Sequence, residues 1–436
     1  MRLLIIFISF IATVNANAQI QWEELSPMPE RVTNNAVTAA TVNAVLYVYS
    51  FSGLDSTKAC GNNHLRSFRY NTETDIWETI APLPDDLGGK IAAGASTIKN
   101  KIYIIGGYHV SNSCGEISSA KTHIYDPEAN AYLADGAPIP VAIDDQVQDV
   151  WRDSLLYVVT GWSNNTNVVD VQIYNPSTDE WLEGTPIPNS ADWRVFGGAG
   201  MIIGDTIYYI GGATYTCTFA NCFPPTTFFR RGIINPNNPT EITWEGSENP
   251  AAQGYRMGAT TFNGKGVWIG GSDITYNFDG IDYNGSGGVA PLGRVTFLDP
   301  ANDALMQFSN QIPKIMDLRG VAKISENEVI ICGGMEEGQS VTNKVFKITL
   351  DDLTNVRNPV IDVRHVVYPN PANAYVEIYL EGVFDLQIID INGRGVVNQR
   401  IRGGERVDVS HLQRGIYFLY LRERGEIVGF EKLVKQ

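Results

Sequence analysis

A phrase that recurs about every 55 residues constrains the fold of this 436-residue chain more than any other feature. Each copy holds an aromatic residue followed by a proline-bearing turn, and the intervals from Trp22 to Trp77 and from Trp77 to Tyr132 are both 55 residues. The copies are Trp22–Pro29, Trp77–Pro84, Tyr132–Pro140, Trp181–Pro188, Trp244–Pro250 and, more weakly, Leu305–Pro313. A period of this length indicates an array of similar supersecondary units that bury their apolar faces against one another.

Two further phrases recur in the same copies. The first is an apolar strand that ends in glycine, as in Ile102–Gly107 with its glycine pair. The second is a short turn before the aromatic strand, seen at Asp126-Pro127, Asn175-Pro176, Asn235-Pro236 and Asp299-Pro300. Paired glycines permit positive φ and close backbone approach, and Asp-Pro or Asn-Pro begins a tight turn. Each copy therefore predicts four short antiparallel strands.

Together these phrases resemble kelch repeats, whose signature is a double glycine, then a tyrosine, then a tryptophan at fixed offsets. The resemblance covers residues 19–355 and implies an all-β fold, a β-propeller with one four-stranded blade per repeat. Six strands reach the glycine position, although Leu46–Phe51 keeps neither glycine, and together with six aromatic strands they favour six blades. The chain begins with a lone Trp22 strand and its last repeat lacks one, so we expect the N-terminal strand to complete the last blade and close the ring, which removes free strand edges.

The last 71 residues, 366–436, predict a second domain after a linker at 356–365. Short alternating strands with turns at Asn392-Gly393 and Arg414-Gly415 are typical of a small antiparallel β-sandwich. The opening Tyr368-Pro-Asn-Pro and the closing Lys432-Leu-Val-Lys also resemble the C-terminal sorting domain of type IX secretion cargo (type A). That resemblance implies that the tail engages the type IX secretion machinery. The alternative is an ordinary accessory sandwich, such as a carbohydrate module.

Residues 1–18 predict a secretory signal peptide, with Arg2, the apolar run Leu3–Ala12 and an Ala16-Asn17-Ala18 cleavage site. The apolar run is too short for a comfortable membrane anchor, and no cysteine follows the cleavage site to carry a lipid. We therefore expect no transmembrane segment and secretion across the outer membrane, with the protein either extracellular or attached to the cell surface. We also expect a monomer.

Charge and cysteine content narrow the function further. A net charge of −16 and a pI near 4.8 argue against a nucleic-acid or anionic-membrane binder. Export permits disulfides. Cys217 and Cys222 close a tight loop as a candidate disulfide. Cys60 and Cys114 lie in equivalent loops of adjacent blades, where a cross-blade bond depends on geometry. Cys332, in an apolar run, is interpreted as a small buried hydrophobe.

A candidate ligand site lies at the mouth of the predicted propeller. The innermost strand comes first in each blade, so its start shares a face with the loops that join the second and third strands. The candidate residues at this mouth are Arg31, Asp192, Trp193, Arg194, Tyr255, Arg256, Asp317 and Arg319. Arginines in an acidic protein would attract an anionic or hydroxyl-rich ligand, and aromatic faces suit sugar rings or peptide side chains. The alternative is that these arginines pair with neighbouring carboxylates and join the blades.

Signals for catalysis and metal binding are weak. Five scattered histidines and no G-x-S-x-G elbow give no metal site, no cofactor and no defined nucleophile. The leading hypothesis is a secreted binding module for a glycan or a protein, without chemistry. A second is a sugar-active enzyme similar to the sialic acid epimerases among bacterial kelch propellers, with Asp192/Arg194 or Asp317/Arg319 as the carboxylate–arginine pair. A third is a purely structural or adhesive surface protein.

Overall fold

The computed structural model describes residues 20–217, 222–350, 367–380, 382–390, 394–423 and 426–436. The predicted signal peptide (1–18) and linker (356–365) lie outside the described residues. Contacts divide the chain into two compact units with a boundary between Asp352 and Leu353. The prediction of an all-β chain is confirmed, because the helices in the described residues are two single 3-10 turns, Pro250–Ala252 and Glu337–Gln339.

The larger unit is built from short strands. In chain order they are β1 Ile20–Leu25, β2 Ala36–Val42, β3 Val45–Leu54, β4 Asn63–Asn71, β5 Ile76–Ile80, β6 Ile91–Ile98, β7 Lys101–Val110, β8 Glu116–Ser118, β9 Thr122–Asp126, β10 Ala131–Tyr132, β11 Val147–Trp151, β12 Leu155–Val159, β13 Trp162–Ser163, β14 Thr166–Asn167, β15 Val171–Asn175, β16 Glu180–Glu183, β17 Ala199–Ile203, β18 Thr206–Ile210, β19 Phe228–Asn235, β20 Asn238–Glu248, β21 Gly258–Phe262, β22 Lys265–Ile269, β23 Val295–Asp299, β24 Ala304–Phe308, β25 Ala322–Lys323, β26 Glu328–Cys332, β27 Met335–Glu336, β28 Ser340–Val341 and β29 Val345–Leu350.

These strands form six antiparallel sheets in the described part of the larger unit, besides the two short hairpins β13–β14 and β27–β28. Sheets 1 to 5 follow the chain, with orders β2-β3-β4-β5, β6-β7-β9-β10 (β8 also pairs with β7), β11-β12-β15-β16, β17-β18-β19-β20 and β21-β22-β23-β24. Sheet 6 has the order β25-β26-β29-β1. Its outermost strand is the N-terminal one, and the register of β1 and β29 runs from Ile20 opposite Leu350 to Leu25 opposite Val345.

Backbone hydrogen bonds link the six sheets at or just before the starts of their innermost strands. Each sheet has one residue there with φ between 47° and 64°: Asn34, Ala92, Asp145, Gly197, Arg256 and Asp317. The bonds pass from each sheet to the next, as from the Asp145 N–H to the Ala92 carbonyl at 3.1 Å. They return to the start, because the Asn34 N–H donates to the Asp317 carbonyl at 3.2 Å. Left-handed backbone is unfavourable for residues other than glycine, so the surrounding structure must hold these residues in place.

The tryptophans of the repeat fasten neighbouring sheets at their outer strands. The indole N–H of Trp77 in sheet 1 donates to the Ser26 carbonyl after β1, at 2.9 Å. Trp181 in sheet 3 makes the same bond to the Ala137 carbonyl after β10, at 2.8 Å. Each ring also packs against a tyrosine of its own sheet, with centroids 5.2 and 5.0 Å apart. These tryptophans therefore belong to the scaffold, as the sequence predicts.

The glycine pairs bring the second strand of one sheet against the backbone of the next. Gly106 and Gly107 lie within β7 and have φ of 66° and 83°. A Cβ on Gly106 would lie 2.3 Å from the Ile143 carbonyl oxygen, which leads into sheet 3. No side chain fits at that distance, so the close approach of sheets 2 and 3 requires glycine.

A buried histidine in sheet 1 makes stability depend on pH. His64 is 8% exposed, and neither of its ring nitrogens has a partner among the described residues. Burial, aided by the charge of Arg66, lowers the pKa of His64 from 6.5 to about 4. The unfolded chain therefore binds this proton at a higher pH than the folded chain, and stability falls by roughly 3 kcal/mol as the pH drops from about 6.5 to about 4.

We expect His64→Leu to flatten the loss of stability between neutral and acidic pH, measured as the urea midpoint at each pH. Leucine has no group that takes up a proton, and the replacement removes no hydrogen bond of the His64 ring among the described residues. His411→Leu, at an exposed position, is the matched control and should keep the pH dependence of the unchanged chain. Equal slopes for His64→Leu and the unchanged chain would contradict this role of His64.

The smaller unit is a pair of antiparallel sheets around its own core. Its strands are β30 Val367–Tyr368, β31 Tyr375–Ile378, β32 Val383–Asp390, β33 Gly395–Arg402, β34 Arg406–Asp408, β35 Gly415–Glu423 and β36 Glu426–Lys435. One sheet has the order β30-β31-β34 and the other β33-β32-β35-β36. Val376 and Val407 from the first sheet share one buried cluster with Leu386 and Leu419 from the second. The two sheets are therefore held together by apolar packing.

Candidate functional site

The candidate site begins at two consecutive aspartates before β11. Asp145 occupies the left-handed position of sheet 3, with φ of 49°. Its carboxylate accepts a hydrogen bond from Arg256, whereas the Asp144 carboxylate accepts one from Ser118 on β8. The two neighbouring carboxyl groups therefore bind different partners.

Arg256 lies at the centre of a buried ion network that joins three sheets. Its guanidinium is bound to Asp145 at 2.7 Å and to Asp317 at 3.0 Å, and its side chain is 1% exposed. Arg319 also approaches Asp145, with Nη1 3.5 Å from Oδ1. Thr33 donates a further hydrogen bond to the Asp317 carboxylate at 2.6 Å. The two arginines and two aspartates thus compensate one another and join sheets 3, 5 and 6.

Asp144 has no such compensation. It is 3% exposed, and none of the ion pairs formed by the described residues includes it. Its Oδ2 accepts a hydrogen bond of 2.5 Å from the Ser118 hydroxyl, which in turn accepts one from the Asn164 N–H at 2.8 Å. Burial, followed by the negative charge of Asp145, raises the pKa of Asp144 well above its usual range.

A cavity of about 200 Å³, here called the mouth cavity, opens beside Asp144. Its lining comprises Tyr108, Glu116, Asp144, Asp145, Trp162, Asn164, Phe196, Phe223, Arg256, Asn277 and Tyr283. These residues come from the starts of innermost strands and from loops that join second and third strands. The structure thus brings together the two sets of segments that the sequence assigns to one face.

Aromatic rings form a continuous wall of the mouth cavity. The Trp162 ring lies 5.3 Å from Phe196 and 5.6 Å from Phe223, and Phe223 lies 4.6 Å from Tyr283. Trp162 is fixed beside Asp144 by two backbone hydrogen bonds of 2.9 Å, one in each direction. An aromatic face and a buried carboxyl group are therefore held next to each other by the backbone.

Loops from three successive sheets, 5, 6 and 1, meet over this face. Lys58, in the loop after β3, donates to the carbonyls of Asp279 at 2.7 Å and Gln339 at 2.9 Å. Phe278 packs into a buried cluster with Leu54 and Tyr108. The loops of sheets 1, 5 and 6 are therefore tied together beside the mouth cavity. The two candidate disulfides, Cys60–Cys114 and Cys217–Cys222, are both formed, and Cys332 is a buried free thiol as predicted.

We expect Lys58→Met to loosen this loop cluster. The change removes two hydrogen bonds from a charged donor, which costs roughly 2 kcal/mol, while the methionine keeps the apolar length of the side chain. Hydrogen–deuterium exchange should increase in the segments around Asp279 and Gln339, and Lys314→Met at an exposed site should leave it unchanged. Unchanged protection in both segments would show that Lys58 does not hold them.

Comparison with known proteins identifies both parts of the chain. Residues 153–188 match the family described as "Kelch motif", and residues 366–436 match "Secretion system C-terminal sorting domain". The chain therefore carries kelch-type sequence in its larger unit and a C-terminal sorting domain in its smaller one. A sorting domain of this kind marks type IX secretion, so the protein is secreted or attached to the cell surface and meets that machinery. None of the helices in the described residues has the length and apolar character needed to span a bilayer.

Curated relatives carry the same repeat. The kelch protein is 27% identical over 169 residues to Kelch-like protein 23 of Homo sapiens, covering 38% of this chain and 26% of that protein. It is 22% identical over 250 residues to Kelch-like protein 36 of Bos taurus, covering 57% of this chain and 37% of the relative. The chain thus spans between a quarter and two fifths of these relatives.

A solved structure described as "Structure of YjhT" has the same fold. It aligns with a TM-score of 0.59 at 16% sequence identity, over 75% of this chain and 97% of that one. At this identity the similarity concerns the fold alone. It agrees with the β-propeller predicted for the kelch repeats.

The residues predicted for the mouth do not all meet there. Tyr255, Arg256 and Asp317 are buried around the ion network, and the Arg256 guanidinium lies 5.2 Å from the Tyr255 ring centroid. Arg319 lines a smaller volume of about 60 Å³ between the innermost strands. Arg256 and Arg319, two of the four arginines predicted to face a ligand, are therefore matched to carboxylates.

Four predicted mouth residues lie elsewhere, which corrects their placement. Trp193 is buried between sheets 3 and 4, where its ring lies 5.9 Å from Trp244. Asp192 is exposed, and Arg194 lies three residues before the left-handed position of sheet 4. Arg31 is exposed and does not line the mouth cavity. The kelch repeats differ in length before the innermost strand, so counting back from the glycine pair misplaces these side chains.

The sequence interpretation missed Asp144, Glu116 and Phe196. A detectable signal existed for Asp144, because it directly precedes Asp145, at the start of the innermost strand of sheet 3. Glu116, on the short strand β8, and Phe196, directly before Gly197-Gly198, carry no distinguishing sequence pattern. No cluster of metal-ligating side chains occurs within the described ranges.

Proposed function

We propose that this protein is a six-bladed kelch propeller that works as an exported binding module and takes its ligand at the mouth cavity. Six sheets in the described residues, the closed series of backbone hydrogen bonds and the pairing of β1 with β29 support six blades closed by the N-terminal strand. The shared core of the two sheets in the smaller unit supports a β-sandwich for the sorting domain.

The observation that carries the binding proposal is the mouth cavity itself. Its volume of about 200 Å³ is below the range of about 300–1,000 Å³ common for small-molecule pockets. It suits one protruding side chain or one sugar ring, and a larger ligand would rest on the surrounding loops. Backbone hydrogen bonds fix Trp162 beside Asp144, so little ordering of these two residues is required on binding.

The enzyme alternative has less support. Neither proposed carboxylate–arginine pair is assembled, because Asp317 is bound by Arg256 and not by Arg319. The Asp317 carboxylate also accepts hydrogen bonds from Thr33 and Asn34, which occupy both oxygens. Asp192 is exposed away from the cavity. A binding role fits this arrangement better than proton transfer.

The test is a screen of the full chain against a glycan array and a displayed random-peptide library. We expect selected ligands to bind the unchanged chain and to lose most of their affinity for Trp162→Ala. Trp22→Ala, an exposed tryptophan on the outermost strand of sheet 6, is the matched control and should bind normally. Ligands that bind Trp162→Ala as well as the unchanged chain would refute the mouth cavity as the site.

A further inference from the structure

The charges around the mouth cavity are unbalanced. Arg256 and Arg319 are matched by Asp145 and Asp317 through contacts of 2.7 to 3.5 Å. Asp144 and Glu116 also line the cavity, and no ion pair within the described ranges includes either of them. The cavity therefore presents two carboxyl groups that form no ion pair among the described residues.

We propose that the mouth cavity binds an organic cation, an ammonium or guanidinium group at the end of a slender apolar chain, as in a lysine or arginine side chain of a partner protein. This rests on the proposed binding role of the same cavity and names its ligand class. It differs from the anionic or hydroxyl-rich ligand expected from the arginines, because Arg256 and Arg319 are already paired with carboxylates.

The geometry of the cavity suits both ends of such a ligand. Aromatic faces attract cations through their ring electrons, and their apolar edges pack against a methylene chain. Trp162, Phe223 and Tyr283 supply these faces, with ring centroids 5.6 and 4.6 Å apart in succession. The buried Asp144 carboxyl next to Trp162 supplies a charge-assisted hydrogen bond to the cationic head.

The direction of the Asp144 pKa shift agrees with this assignment. Burial and the charge of Asp145 raise its pKa, which favours the neutral form when no cation is present. A bound ammonium group would favour the ionised form, because opposite charges at close range stabilise each other. Glu116 is exposed at the rim of the cavity, where its charge would attract a cation during approach.

The test is calorimetric titration of the full chain with Nα-acetyl-lysine methylamide, Nα-acetyl-norleucine methylamide, n-butylamine and N-acetylneuraminic acid. We expect the lysine derivative to bind at least about tenfold more tightly than the norleucine derivative, which lacks only the amine. Asp144→Asn keeps the shape of the side chain and should reduce lysine binding by a similar factor. Asp192→Asn, at an exposed site, is the matched control and should not change it.

The outcomes separate the ligand class from the binding role. Weaker binding of n-butylamine than of the lysine derivative supports a side-chain ligand, and equal binding supports a free amine of the same chemistry. Equal affinity for the lysine and norleucine derivatives, preference for N-acetylneuraminic acid, or no effect of Asp144→Asn overturns the cation assignment. If the ligands selected in the screen still lose affinity for Trp162→Ala in those cases, the binding role of the cavity is retained without the cation assignment. If they do not, both proposals fail.

Discussion

Replacing Arg256 with methionine is expected to lower the free energy of unfolding by about 3–5 kcal/mol, as for loss of one partner from a buried ion pair. Arg256 is 1% exposed and binds Asp145 and Asp317, which are themselves buried. Methionine fills most of the volume but leaves both carboxylates without their main cation. The free energy of unfolding of Arg256→Lys should lie between those of the unchanged chain and Arg256→Met, because an ammonium group cannot bind both aspartates through a planar fork.

Chemical unfolding of the variants provides the measurement and its controls. Arg152→Met removes an exposed arginine that pairs with Asp205, and it should cost at most about 1 kcal/mol. Adding Asp317→Asn to Arg256→Met should recover stability, because the uncompensated charge at Asp317 is then removed. A loss from Arg256→Met no larger than that from Arg152→Met would refute the structural importance of the network.

Deleting Ile20–Leu25 is the second change with a large expected effect. This strand, β1, pairs with β29 over six residues, and Trp22 packs edge-to-face on Phe346 at 5.8 Å. At about 0.2–1 kcal/mol per cross-strand pair, its loss should cost roughly 1–6 kcal/mol. The deletion also exposes the edge of β29, so we expect self-association as well as a lower unfolding midpoint.

Size-exclusion chromatography and thermal unfolding measure both effects. A synthetic peptide of residues 19–28 added to the deletion variant should restore the monomer and part of the stability, because an exposed edge accepts an extended peptide as a new strand. A scrambled peptide of the same composition is the control. A deletion variant that stays monomeric with an unchanged midpoint would show that β1 does not close the ring.

The repeat made most of the larger unit predictable. Glycine pairs, prolines and aromatic residues act locally, so their positions indicate where strands end and turns begin. The scaffold roles of Trp77 and Trp181 follow from the same logic and agree with the structure. The left-handed residue before each innermost strand was not predicted, because Asn34, Ala92 and Arg256 share a conformation and not a side-chain type.

The candidate site was harder to predict because it depends on register. Three of the four arginines assigned to the mouth occupy different positions: Arg256 is at the left-handed position of its sheet, Arg194 lies three residues before its own, and Arg319 two residues after. Arg256 lines the mouth cavity, whereas Arg194 and Arg319 do not. Asp144 gains its importance from burial and from lying outside the ion pairs of the described residues, and neither can be read from residue type.

The central claim is that the mouth cavity holds an organic cation between Asp144 and the aromatic wall. Its most direct test is a crystal structure of the full chain soaked with Nα-acetyl-lysine methylamide. We expect the ammonium group within hydrogen-bond distance of the Asp144 carboxylate and the methylene chain against Trp162 and Tyr283. Water alone in the cavity at saturating probe, or the probe bound only at another surface, would contradict the claim.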